Sequence, residues 1–195
     1  MSVRVRRVLG MTDLAWATLS SPVGPLAVAC SPAGLARVSF RATRRPAPAR
    51  SSPDQDQDRA GDRGRLLAAA RDQLAEYFAG QRQAFDLPVD WSGTSAAQRQ
   101  VLGALLRSVG FGETVTYGQL AQRAVAGPDG ISLPARAIGG IMGSNPIPVI
   151  VPCHRVVAGN GLGGYSGGTG IEVKRWLLIF EGALPATLDW TPAGI

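Results

Sequence analysis

Histidine and cysteine are nearly missing from this chain: one His and two Cys occur among 195 residues. That scarcity excludes a four-ligand zinc site built from those side chains, and neither a metal nor another cofactor is expected. The two cysteines, Cys30 and Cys153, do not make the dense pattern of a disulfide scaffold, and no Cys-x-x-Cys pair occurs. No apolar run approaches the roughly 20 residues needed to cross a bilayer. Arg4, Arg6 and Arg7 lead into a stretch interrupted by Asp13, not into an apolar signal core. The expectation is a soluble cytoplasmic protein with reduced thiols and no membrane partner.

What is present is ordinary globular material, with 45% apolar residues, enough for one large domain or two small ones. The net charge of +6 and pI near 10.3 favour an anionic partner, nucleic acid first among them. Residues 96–195 nevertheless hold only seven basic groups against five acidic ones, so most of the excess lies upstream. Nucleic-acid binding therefore has to rest on motifs and their placement.

Short apolar segments at 14–20, 25–30 and 35–40, separated by Ser-Pro-Val-Gly and Ser-Pro-Ala-Gly, read as an antiparallel meander. Residues 41–64 shift to Arg, Pro, Ser, Asp, Gln and Gly and read as a long mobile loop. Leu66, Leu67, Ala70, Leu74, Tyr77 and Phe78 recur at helical spacing, with Tyr77 and Phe78 as core, and stop at Gly80. Residues 85–89 read as a further strand, and 91–93 as a boundary. Beyond it, Thr94 or Ser95 can cap a helix that ends at Gly110. Two further helices are expected, one starting at Tyr117 and one near Pro134 that carries Arg136, Ile138 and Met142. Such a helix-turn-helix suits DNA docking but is often merely structural.

The chemistry concentrates at Pro152-Cys153-His154-Arg155-Val156, where the only histidine adjoins a cysteine. Thiolate is the nucleophilic form, and an adjacent imidazole is a base that can generate it. Neighbouring side chains on a strand face opposite ways, so cooperation of the pair implies a turn or helical bend at this point.

The ordered string Phe111-Gly112-Glu113, Tyr117, Ala135-Arg136-Ala137, Asn145-Pro146, Pro152-Cys153-His154-Arg155-Val156, Tyr165-Ser166-Gly167-Gly168 and Glu181-Gly182 resembles the O6-alkylguanine-DNA alkyltransferases. The match spans residues 95–182. The resemblance implies an α+β chain of two domains. Residues 1–92 would form a small ribonuclease-H-like α/β domain of sheet plus helix, with the loop at 41–64. Residues 93–195 would form a mainly helical, winged helix-turn-helix-like domain bearing the thiol.

By the same resemblance, Cys153 takes an alkyl group from O6 of guanine in duplex DNA, irreversibly and once per molecule. His154 takes the thiol proton, directly or through a water, and Glu181 orients the imidazole. Asn145 ties the helix-turn-helix to the active-site loop, and Tyr117 donates toward guanine N3 and crowds the 3′ phosphate. Since O6 is out of reach inside a duplex, the nucleotide must be extruded. Arg136 would fill the vacated stack, while Ala135, Gly139 and Gly140 keep that helix slim enough to press into the minor groove. Met142, Pro148, Val156, Tyr165 and Ser166 would form the base pocket. Each residue also has a plainer reading: Glu181 a helix-end surface residue, Tyr117 core, Arg136 solvated, Asn145 a C-cap. The protein is expected to be a monomer in solution that could assemble cooperatively on DNA.

Two departures from the family pattern stand out, a longer loop at 125–133 and added residues at 169–172. Two rivals remain open. A damage sensor would bind alkylated DNA without transfer, and a cysteine hydrolase or thiol-redox protein would use the same Cys-His pair with turnover.

Overall fold

The computed structural model describes residues 14–40, 57–125 and 133–186. Most of the loop expected at 41–64 and the interior of the loop at 125–133 lie outside them.

The chain opens with strands β1 (Ala15–Leu19), β2 (Leu26–Ser31) and β3 (Gly34–Ser39), an antiparallel sheet in that order. The expected turn chemistry makes the hairpins. In the first, the Gly24 N–H returns to Ser21 O at 3.0 Å, and Gly24 supplies the φ of +95° that a side chain would resist. In the second, Pro32 and Ala33 connect Ser31 to its partner Gly34. A Cβ on Gly34 would stand 2.3 Å from Pro88 O, so glycine is required there by backbone approach as well as by the turn. β2, the central strand, is buried along its whole length, and the helix α1 (Gln57–Phe78) packs on one face of the sheet through Ala70, Leu74 and Tyr77.

Two expectations need correction here. The helix does not wait for Leu66: it begins at Gln57 and absorbs the end of the supposed loop. Its first turns lack an apolar stripe and carry Gly61 and Gly64, but propagation from a packed C-terminal half adds one hydrogen bond per residue fixed. Residues 85–89 are not a strand. They touch the sheet through a single parallel bridge, Leu35 to Val89, flanked by Leu35 N–H to Pro88 O and Asp90 N–H to Leu35 O. Pro88 has no N–H to extend the ladder.

The rest is helical. Helix α2 (Ala96–Ser108) starts at Ser95 with a full capping box to Gln98 and stops two residues before Gly110. A two-residue strand β4 (Val115–Thr116) leads into α3 (Tyr117–Val125), and α4 (Ala135–Gly143) follows. α2, α3 and α4 pack on one another, with α3 and α4 as the helix-turn-helix. A 3-10 turn at Cys153–Arg155 is followed by β5 (Val156–Val157), parallel to β4, and by α5 (Ile171–Phe180). One continuous apolar core runs from Val28 and Leu74 to Leu105, Ile147 and Leu177, so sheet and helices are packed as a unit. Among the described residues no helix is long and apolar enough to cross a membrane.

Candidate active site and DNA-facing surface

The bend that cooperation between Cys153 and His154 requires is present as the 3-10 turn. Its approach is strained. Val149, buried and β-branched, has φ of +75°, which costs on the order of 1–3 kcal/mol and persists only where the surroundings enforce it. Asn145 is the enforcing group: its Oδ1 accepts from Ile147 N–H at 3.0 Å and its Nδ2 donates to Val151 O at 2.8 Å. The N–H of Cys153 then closes on Val151 O at 2.8 Å. Asn145 follows α4 by two residues, so this side chain joins the helix-turn-helix to the thiol loop.

The thiol lies at the floor of a cavity of about 560 Å³. Burial pushes its pKa up, while the Asn145 amide, the Lys174 ammonium and the Tyr165 hydroxyl pull it back. Tyr117, Tyr165 and Ser166 wall the cavity, and Ala135, Arg136, Gly139 and Met142 of α4 form its rim. Arg136, Ala135 and Gly140 are exposed, and nothing stands within 4 Å of a Cβ built on Gly139 or Gly140. Pro148 lies instead on a smaller cavity of about 260 Å³ that shares Cys153, Met142, Tyr165 and Ser166. Val156 is fully buried and lines neither cavity. Its N–H bonds Cys153 O, and its carbonyl accepts from Lys174 Nζ at 2.6 Å. The Ser166 hydroxyl donates to Gly143 O at 2.9 Å, which leaves its lone pairs to face the cavity.

Behind the thiol is a buried ionic cluster. His154 and Glu181 have no exposed side-chain surface, and Nε2 of the imidazole meets Glu181 Oε1 at 2.9 Å. Arg155 holds the same carboxylate with two bonds, Nε to Oε2 at 2.8 Å and Nη2 to Oε1 at 2.9 Å, and gives Nη1 to Val109 O. Tyr77 adds its hydroxyl to Oε1 at 2.7 Å. Glu181 is thereby held at about 2, with hydrogen bonds from His154 and Arg155 outweighing burial. Burial lowers the His154 pKa, and the nearby Arg155 and Lys174 cations oppose Glu181 in the same direction, so the resting imidazole is neutral. Nδ1 of His154 is buried with no hydrogen-bond partner among the described residues. Lys174, fully buried, donates to Val156 O and Gly164 O, and burial brings its pKa to about 8.

Sequence reasoning assigned no role to three of these residues. Arg155 stands inside a quoted motif as a bystander, Lys174 is not singled out, and Tyr77 reads as core. Its ring is core, but its hydroxyl reaches a carboxylate 104 residues away, which no local pattern signals. Phe40 was also missed: it packs edge-on to Tyr165, with centroids 6.2 Å apart, and a Cβ on Gly167 would stand 2.6 Å from its ring. The glycine is there because β3 delivers an aromatic ring to the pocket loop.

A buried thiol with a paired imidazole, set beside an exposed helix-turn-helix, defines a nucleophilic transferase that works on DNA. The chain matches the ribonuclease-like domain of 6-O-methylguanine DNA methyltransferase over residues 14–91 and the DNA-binding domain of the same family over 96–183. A methylated-DNA–protein-cysteine methyltransferase of Mycobacterium bovis is 39% identical over 166 residues, 84% of this chain and 90% of the relative. A DNA base-flipping protein of Thermus thermophilus is 37% identical over 168 residues, 85% of this chain and 99% of the relative. The crystal structure of Mycobacterium tuberculosis OGT in complex with DNA superposes with a TM-score of 0.66 at 36% identity, covering 86% of this chain and 92% of that one. The chain belongs to the 6-O-methylguanine DNA methyltransferase family, and its relatives named as methylated-DNA–protein-cysteine methyltransferases support DNA repair by alkyl transfer to a protein cysteine.

Proposed function

We propose that this protein moves one alkyl group from O6 of a guanine, extruded from duplex DNA, to Sγ of Cys153, and does so once. The observation that carries the reading is the thiol at the floor of a cavity whose rim is the exposed helix bearing Arg136. In the displacement the S–C bond forms as the C–O6 bond breaks, and the released electron pair returns to guanine. The thiol proton goes to His154 Nδ1, directly or through a water, while Nε2–H stays on Glu181. Tyr117, with Lys174 Nζ 6.0 Å from its ring centroid, stands where its hydroxyl can donate to the departing base. Met142, Tyr165 and Ser166 hold that base, and Pro148 bounds the smaller space beside the sulfur. A thioether does not revert, so the protein is consumed. It acts as a cytoplasmic monomer divided near residue 93, without a cofactor.

The decisive test is the mass of the Cys153 peptide after incubation with duplex DNA carrying one O6-methylguanine. One methyl per molecule at Cys153 is expected. Tight lesion binding with no mass gain would instead make the protein a damage sensor, and multiple turnovers would make it a hydrolase.

Arg136→Ala separates extrusion from chemistry. Extrusion costs a few kcal/mol, and the guanidinium occupying the vacated stack offsets part of it. The variant should methylate from duplex DNA at least about tenfold more slowly. Its rate with a free O6-alkylguanine base, which needs no extrusion, should match the parent in the same single-turnover assay.

A further inference from the structure

The Tyr77 hydroxyl reaches the relay from outside the segment that carries the motifs. It belongs to α1, which otherwise covers the sheet, and crosses to Glu181 at the end of α5. Four phenylalanine rings hold it: Phe78, Phe85, Phe111 and Phe180, with centroids 5.0 to 6.2 Å from its own. The phenol has no exposed surface, and among the described residues its O–H has one acceptor. That acceptor is Oε1, the oxygen that also receives His154 Nε2 and Arg155 Nη2.

We infer that Tyr77 is a positioning residue of the transfer reaction, which fixes the Glu181 carboxylate and sets the basicity of His154 through it. The inference rests on the relay proposed above. Each donor on Oε1 withdraws charge from the oxygen that stabilises an imidazolium, so a donor from α1 makes His154 a weaker base than the carboxylate alone would. The groups facing the pair are Tyr77 from α1, Arg155 from the 3-10 turn and Lys174 from α5. Of these only Tyr77 can lose its polar atom with ring, shape and net charge preserved. Its own pKa is driven far up by burial and by the Glu181 charge, so it remains a donor at every working pH.

The test is single-turnover methylation of the full chain by O6-methylguanine duplex, with rate followed against pH. In Tyr77→Phe the carboxylate loses one donor, His154 becomes more basic, and the acid limb should move up by about half a pH unit or more. Phe85→Leu loosens the same ring cage but keeps the hydroxyl. It should lower Tm and leave the limb in place. Replacing Tyr77 by 3-fluorotyrosine, a stronger donor of the same shape, should move the limb down, which keeps the idea testable if Tyr77→Phe folds poorly. An unmoved limb in both Tyr77 variants, whatever happens to Tm, overturns the inference. A parent protein that gains no methyl overturns the underlying relay instead.

Discussion

Glu181→Gln should leave a protein that is both less stable and nearly inert. The carboxylate accepts four bonds from three side chains, and an amide offers one oxygen in place of two while turning an N–H₂ toward the Arg155 guanidinium. Arg155 is almost fully buried and would be left without its counter-charge. Breaking a buried pair from one side costs about 3–5 kcal/mol, enough to lower Tm by many degrees. The rate should fall on the order of a hundredfold, because His154 loses the charge that stabilises its protonated form. The two effects are separable by pH. Glu181 is held at about 2, below its ordinary 4.5, so its stabilising contribution is complete above pH 4.5 and drains away as pH falls toward 2. The Tm gap between parent and Glu181→Gln should therefore be widest near neutrality and shrink below pH 4. Calorimetry across that range measures it, and a gap independent of pH would mean that shape, not charge, makes Glu181 necessary.

The cluster also shows which parts of the molecule a sequence can disclose. Turns were legible because their causes are local: Gly24 and Gly34 follow Ser-Pro pairs, and Ser95 with Gln98 writes its own capping box. The bend at Cys153 could be argued from alternation alone, since two adjacent side chains cannot share a task on a strand. Composition misled where packing decides. Residues 57–64 look like loop but extend a helix anchored further on by Ala70 and Leu74. Residues 85–89 look like strand but meet a sheet edge at Val89 alone, with a proline just before it. At the site, the order of motifs gave the candidate residues through resemblance, yet the positive φ of Val149, the Phe40 contact and the Tyr77 bond were invisible. Each is set by groups distant in sequence, and neither period nor spacing encodes such a meeting.

Cys153→Ala should abolish alkyl uptake completely while leaving lesion binding in place. Cys153 is 5% exposed at the bottom of the cavity, whereas the surface proposed to meet DNA is carried by α3 and α4, whose packing does not depend on it. Removing one heavy atom at a site already beside open space leaves little new void, so the stability loss should stay near 1 kcal/mol. No second thiol can substitute. Cys30 is fully buried in β2 and its pKa is pushed up to about 11 by burial, which leaves it protonated and inaccessible. Intact-mass measurement after prolonged incubation should accordingly show no added methyl anywhere on the Cys153→Ala chain. In a titration with O6-methylguanine duplex, its Kd should agree with that of the unreacted parent within about threefold, well inside 1 kcal/mol. Methyl appearing on Cys30 would show that the sheet opens far enough to expose a second nucleophile. Loss of binding together with loss of transfer would show that the sulfur holds the extruded base as well as attacking it, and the separation between docking helices and chemical floor would then be wrong.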